Sequence, residues 1–164
     1  MMNIEDYTFK IDSPAAMEAL GAACSAVLDV GDLLLLHGCL GAGKTTLVRG
    51  LARQAGYQGK VTSPSFTLMN IYPVQPPLYH FDFYRLESME IEDLGLDDYI
   101  GREGIALVEW PDAAAGWLPE EWLGVTITLC DEDYNRERQV VISAAGAASE
   151  RKRERLMQIV ALGH

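Results

Sequence analysis

Basic residues are scarce in this chain. Thirteen Lys and Arg stand against 24 Asp and Glu in 164 residues, a formal net charge of −11. So acidic a chain is repelled by a phosphate backbone, which argues against a large autonomous nucleic-acid surface. Long apolar runs are lacking too, and nothing approaches the roughly 18–20 apolar residues of a membrane span. The first residues, Met1 to Lys10, carry acids rather than a basic patch ahead of an apolar stretch, so no secretory signal is expected there. Cysteines number only three, and Cys24, Cys39 and Cys130 are far apart with no C-x-x-C pair. That argues against a disulfide framework and a structural zinc site and predicts reduced thiols in a cytoplasmic protein without membrane contact. The histidines His37, His80 and His164 do not cluster in sequence and read as structural. No repeat, low-complexity tract or linker divides the chain, so residues 1–164 are expected to form a single domain.

What is present suits a packed core, with 49% hydrophobic and 23% charged residues. Ser13 reads as a helix N-cap with Pro14 at the first helical position. Apolar residues then recur at Met17, Leu20, Ala23, Cys24, Val27 and Leu28, the helical spacing, and Gly31 ends the pattern. Leu33 to Leu36 is a short all-apolar run, as in a strand buried on both faces. A glycine-rich turn follows, then a helix from about Lys44 to Ala55. Further on, Thr62 to Ile71 reads as loop plus strand, Leu78 to Phe83 and Ile105 to Val108 as strands, and Glu90 to Tyr99 as a short acidic helix or two. Val125–Leu129 and Gln139–Ser143 alternate well enough for a hairpin around residues 131–135. Ser149 to Ala161, within a C-terminal segment 149–164, reads as a charged amphipathic helix. The prediction is an α/β sandwich with a mostly parallel central sheet, an antiparallel edge hairpin and flanking helices.

From Asp82 to Asp112 ten acids accompany two bases, Arg85 and Arg102. The stretch is either a solvated face or a docking face for a basic partner.

The chemistry is carried by Gly38-Cys39-Leu40-Gly41-Ala42-Gly43-Lys44-Thr45, which matches G-x-x-x-x-G-K-[ST] at every fixed position. Glycines let the backbone turn tightly enough to aim N–H groups at phosphate oxygens, and the following helix adds its positive end. Lys44 suits the β- and γ-phosphates, and the Thr45 hydroxyl suits Mg²⁺. Here the motif follows a buried strand and opens a helix, so the expected fold is a P-loop NTPase. A magnesium site of this kind also needs a carboxylate at a neighbouring strand end. Glu109 ends the most apolar later strand and is assigned to the metal side, directly or through water. Asp82 is assigned to the γ-phosphate or the attacking water. The guanine-reading pattern N-K-x-D is missing, since Asn3-Ile4-Glu5-Asp6 lacks the lysine and lies in the wrong place, which favours ATP.

The loop through Thr46 resembles that of the bacterial TsaE (YjeE) family. Val61-Thr62-Ser63-Pro64-Ser65-Phe66-Thr67-Leu68, Tyr79-His80-Phe81-Asp82-Phe83-Tyr84-Arg85-Leu86 and Val108-Glu109-Trp110-Pro111 match that family's other motifs in order. With the first helix and the turn Asn135-Arg136-Glu137-Arg138, the likeness spans roughly residues 10 to 145. The resemblance implies an ATP- and Mg²⁺-dependent ATPase needed for threonylcarbamoyladenosine at position 37 of ANN-decoding tRNAs. It implies work with the TsaD and TsaB subunits, contact with tRNA only through that complex, and slow hydrolysis that resets the complex and is stimulated by partners. By the same likeness, Gly41, Ala42, Gly43, Lys44, Thr45 and Thr46 hold phosphates, and Thr45 and Glu109 serve the metal. Ser63, Ser65 and Thr67 belong to a switch segment near the γ-phosphate, Trp110 is the tryptophan after the metal acid, Arg136 is a nucleotide contact, and Ser13 and Pro14 lie where adenine approaches. Two positions depart from the family pattern. Cys39 stands where an acid is usual, removing a negative charge beside the phosphates, and Ser65 replaces threonine while keeping the hydroxyl. The rival readings are a small-molecule kinase, whose arginine-rich lid has no obvious counterpart besides Arg151-Lys152-Arg153 and Arg155, and a nucleotide-gated assembly module that needs no turnover.

Overall fold

The computed structural model describes residues 4–86, 92–130 and 137–162. After a short 3-10 turn at Ile4–Tyr7 come β1 (Thr8–Ile11), α1 (Pro14–Val27), β2 (Leu33–His37) and α2 (Lys44–Gln54). They are followed by β3 (Met69–Tyr72), β4 (Leu78–Asp82), β5 (Ile105–Glu109), β6 (Trp122–Leu129), β7 (Arg138–Ala145) and α3 (Ala147–Ala161). All seven strands form one sheet in the order β1-β7-β6-β2-β5-β4-β3. The inner strands β6, β2, β5 and β4 run parallel, and both flanks are antiparallel: β7 and β1 on one side, β3 on the other. The expected hairpin is β6–β7, paired from Trp122↔Ala145 to Leu129↔Arg138. Its connecting residues 131–136, Arg136 among them, lie outside the described residues, as do residues 87–91 of the acidic stretch. A second hairpin, β3–β4, and the edge strand β1 complete the sheet beyond what the sequence had suggested.

Strand alternation sorts the core into two layers. Leu34 and Leu36 of β2 join Leu107, Val125 and Ile142 in a cluster covered by α1, α2 and Leu156 of α3. Leu33 and Leu35 face the other way, with Ala106, Val108, Phe81 and Phe83, under Leu96, Ile100 and Ala114. The three α-helices of the described residues therefore cover one face. The other is closed by irregular chain and the 3-10 turns Glu92–Leu94, Leu96–Asp98 and Pro111–Ala114.

The helical layer is tightest where α1 meets α2. A Cβ on Gly21 would stand 2.0 Å from the Leu47 carbonyl oxygen, and one on Gly50 would stand 2.0 Å from that of Glu18. Only residues without side chains allow backbones so near. Glu18 adds ion pairs across the helices to Arg49 (3.8 Å) and Arg53 (3.3 Å). At the other end of β2 from the glycine-rich loop, Lys152 of α3 is paired with Asp32 and with Asp29.

Candidate functional site

β2 is buried along its first four residues and delivers the chain at His37 into the loop 38–45. Gly43 caps α2 with φ +121° and no side-chain bond to the helix, a backbone state that favours glycine. The first N–H groups of α2 are thus left to the loop's concavity, with the positive end of the helix behind them. The loop closes on itself through Ala42 N–H to the Cys39 carbonyl (3.1 Å). Lys44 is 5% exposed, donates to the Gly38 carbonyl at 2.5 Å, and has Nζ 3.8 Å from the centre of the Trp110 ring. Burial lowers the pKa of its ammonium, and the carboxylates of Glu109 and Asp82 partly offset this.

Those carboxylates end adjacent parallel strands and stand directly opposite each other in the β4–β5 register. Both are buried. Asp82 accepts from Ser63 Oγ at 3.2 Å and from Tyr84 N–H at 2.9 Å, and Ser63 Oγ lies 2.7 Å from Ser65 Oγ. Glu109 Oε2 is 2.5 Å from His80 Nε2. Trp110, the next residue, takes a left-handed backbone (φ +57°) rare for so bulky a side chain, and Pro111 starts the turn that follows. Its ring packs on Tyr84 at 4.8 Å.

A cleft of about 340 Å³ gathers Lys44, Thr45, Thr46, Ser63, Ser65, Asp82, Glu109 and Trp110 along one side of the loop. A second hollow, of about 180 Å³, lies on the other side between the loop and the start of α1, lined by Ser13, Pro14, Met17 and Arg138 together with Gly41, Ala42 and Gly43. Ser13 caps α1, its Oγ accepting from Ala16 N–H at 3.1 Å. Thr67 is absent from the cleft lining, and its hydroxyl donates to Asn70 Oδ1 at 3.3 Å. Arg138, which the sequence reading passed over in favour of Arg136, donates from Nε to the Ala42 carbonyl at 2.9 Å and from Nη2 to that of Gly41 at 3.4 Å. Cys39 is exposed, and its carbonyl lies 3.5 Å from Lys44 Nζ, whereas burial in α1 pushes the Cys24 thiol up to about 12.

The family described as threonylcarbamoyl adenosine biosynthesis protein TsaE matches residues 11–140. The chain belongs to the TsaE family. A Bacillus subtilis relative, "tRNA threonylcarbamoyladenosine biosynthesis protein TsaE", is 41% identical over 135 residues, covering 82% of this chain and 83% of its own. A Haemophilus influenzae protein of the same name is 43% identical over 107 residues, 64% and 68% of the two chains. The crystal structure of Bacillus subtilis YdiB superposes with a TM-score of 0.79 at 34% identity, over 92% of this chain and 93% of that one. The likeness to YdiB places the fold among P-loop proteins. The TsaE match runs from the end of β1 into β7, so it takes in both hollows, and α3 lies beyond it.

Among the described residues no group of three or more His, Cys, Asp or Glu could hold a metal unaided. The oxygen donors lining the cleft are instead the hydroxyls of Thr45, Thr46, Ser63 and Ser65 and the carboxylates of Asp82 and Glu109. All are hard oxygen donors, and a set with two carboxylates suits Mg²⁺, which is normally held by one or two carboxylates plus phosphate oxygens and water. No described helix is long and apolar enough to cross a membrane.

Proposed function

We propose that this chain binds Mg·ATP across the phosphate loop and hydrolyses it in support of threonylcarbamoyladenosine formation on tRNA, working with TsaD and TsaB. The observation that carries the reading is the convergence of Lys44, Thr45, Asp82 and Glu109 on one cleft beside the N-terminus of α2. Backbone N–H groups from Gly41 to Thr46 would hold the β-phosphate. Lys44 would exchange the Gly38 carbonyl for phosphate oxygens, which is a modest movement for a flexible stem. Thr45 and Glu109 would hold the magnesium ion, whose chemical contribution is to neutralise charge on the β- and γ-phosphates. Asp82, already fixed by Ser63 and Tyr84, would orient the attacking water. Adenosine would lie in the hollow between Pro14 and Arg138, with the guanidinium bracing the loop.

The placement of two residues of the basic cluster does not favour the kinase reading. Of the basic cluster in α3, Lys152 is paired with Asp32 ahead of β2, and Arg153 covers the ring of Tyr7 at 3.9 Å. Both are remote from the loop at the far end of β2. The acidic stretch supports docking on a basic surface of the TsaB–TsaD complex, since Asp93, Asp97 and Asp98 are exposed. Such steering weakens with salt, as the Debye length falls from about 10 Å at 0.1 M to about 3 Å at 1 M.

The test is reconstitution of the full chain with TsaB, TsaD, threonylcarbamoyl-adenylate and tRNA. Repeated rounds of modification with ATP, and arrest after the first with a non-hydrolysable analogue, are expected. Repeated rounds with the analogue would instead favour the nucleotide-gated module, and modification that ignores this chain would overturn the assignment.

A further inference from the structure

One group beside the cleft has no part in the proposed hydrolysis. His80 lies in β4, fully enclosed, between the aliphatic Leu78 and the metal-side acid. Both ring nitrogens are engaged: Nδ1 lies 2.8 Å from the Tyr72 hydroxyl of β3, and Nε2 lies 2.5 Å from Glu109 Oε2 of β5. An imidazole among leucines is costly unless both nitrogens are paired. Leucine occupies the equivalent inward positions at Leu78 and Leu107, so packing alone does not call for histidine here.

The partners fix the direction of the chain of bonds. A carboxylate only accepts, so Nε2 carries the proton that points at Glu109. In the neutral ring Nδ1 then accepts, and the Tyr72 hydroxyl donates to it. Burial pushes that hydroxyl up to about 12, which keeps it a donor across the neutral range. Tyr72 is in turn packed against Tyr57, ring centres 4.8 Å apart. The result is a rigid strut across three strands that pins one oxygen of Glu109 and leaves Oε1 for the cleft.

We propose that His80, oriented by Tyr72, is a positioning residue that presets Glu109 for the magnesium side of the cleft. The proposal rests on Glu109 being that acid. Hydrogen-bond partners of metal-binding carboxylates commonly set affinity by holding the carboxylate in its binding orientation, and their loss costs about 10–100-fold.

The test needs no turnover: affinity for a non-hydrolysable ATP analogue is measured by calorimetry on the full chain, in EDTA and across a Mg²⁺ series. His80→Leu should raise half-saturating Mg²⁺ by about 10–100-fold while changing affinity in EDTA by less than about twofold. His80→Gln, whose amide N–H can take the place of Nε2–H and donate to Glu109, should recover most of the loss. Tyr72→Phe should give a smaller shift, about threefold, because the ring stays in place but loses its fixed tautomer. If His80→Leu does not fold, the Gln and Phe variants carry the test, and Tyr72→Phe without any magnesium shift overturns the proposal. Equal losses in EDTA and in magnesium, or a Gln variant no better than Leu, also overturn it and leave His80 as core. A wild-type affinity indifferent to Mg²⁺, or a Glu109→Ala variant with wild-type magnesium dependence, overturns the reading of Glu109 itself and this proposal with it.

Discussion

The phosphate loop has two sides, and they are built on different principles. On one side lie Lys44, Asp82 and Glu109, all buried, and every carboxylate there is held by hydrogen bonds from neighbouring strands or loops. On the other side Ser13 and Arg138 make hydrogen bonds to backbone: one caps α1, the other braces Gly41 and Ala42. Enclosed charges act strongly and tolerate little displacement, because low polarisability magnifies each interaction. The hollow, lined by Pro14, Met17 and loop backbone beside a few polar side chains, offers fewer enclosed charges. On the proposed function, chemistry and nucleotide selection would be separated by a single turn of chain, and changes on the two sides should have different signatures.

The largest effect is expected from Lys44→Ala. Removing the cation that lines the cleft should lower ATP turnover by at least about 10²–10³, the usual cost of a lost preorganised donor. Circular dichroism should report an intact fold, because the hydrogen bonds of the lysine go to its own loop and its one ring contact is with Trp110 at the cleft rim. Near-normal turnover would place the chemistry elsewhere.

Next come the two acids. Glu109→Ala should raise the magnesium needed for nucleotide binding by about 10–100-fold. Asp82→Ala should depress turnover and leave that requirement alone, since a group that orients water acts mainly in the transition state. Magnesium titrations of both variants decide it, and the reverse pattern would exchange the two roles.

Arg138→Ala is expected to weaken nucleotide binding about tenfold, the scale of one lost charge-assisted hydrogen bond. Calorimetry should find the loss equal with and without magnesium. A loss that grows with magnesium would erase the distinction between the two sides. Smallest of all, Ser13→Ala should cost about 1 kcal/mol of stability through the missing cap, read as a fall in Tm of about 2–4 °C, with affinity little changed.

How much of this was legible beforehand follows from the range of each interaction. The loop was readable because its chemistry is local: fixed spacing, a buried strand before it and a helix after it. Glu109 is readable as the carboxylate that ends an apolar run and Asp82 as the one that ends the more polar run Leu78-Tyr79-His80-Phe81, and the register sets them side by side. His80 reads as structural in the sequence because the histidines do not cluster there; its partners lie 8 and 29 residues away, on strands whose neighbours no periodicity reveals. Arg138 was missed for a related reason. Its reach to the loop depends on β7 lying beside β6, and β6 beside β2. β1 is four residues of mixed polarity whose partner strand is β7, far along the chain, so nothing local announces it. The gathering of all three helices on one face is likewise a property of the crossings between strands and has no local signal.

The close approach of α1 and α2 at Gly21 and Gly50 has a consequence at a distance. α1 starts at the hollow of Pro14, and α2 starts at the cleft of Lys44, so the gauge between the two sides is set where the helices cross, away from any ligand. Like the pivot of a pair of calipers, that crossing converts one added methyl group into a wider opening at the tips. The spacing of the cleft and the hollow is therefore vulnerable at two positions that line neither of them and carry no functional group at all.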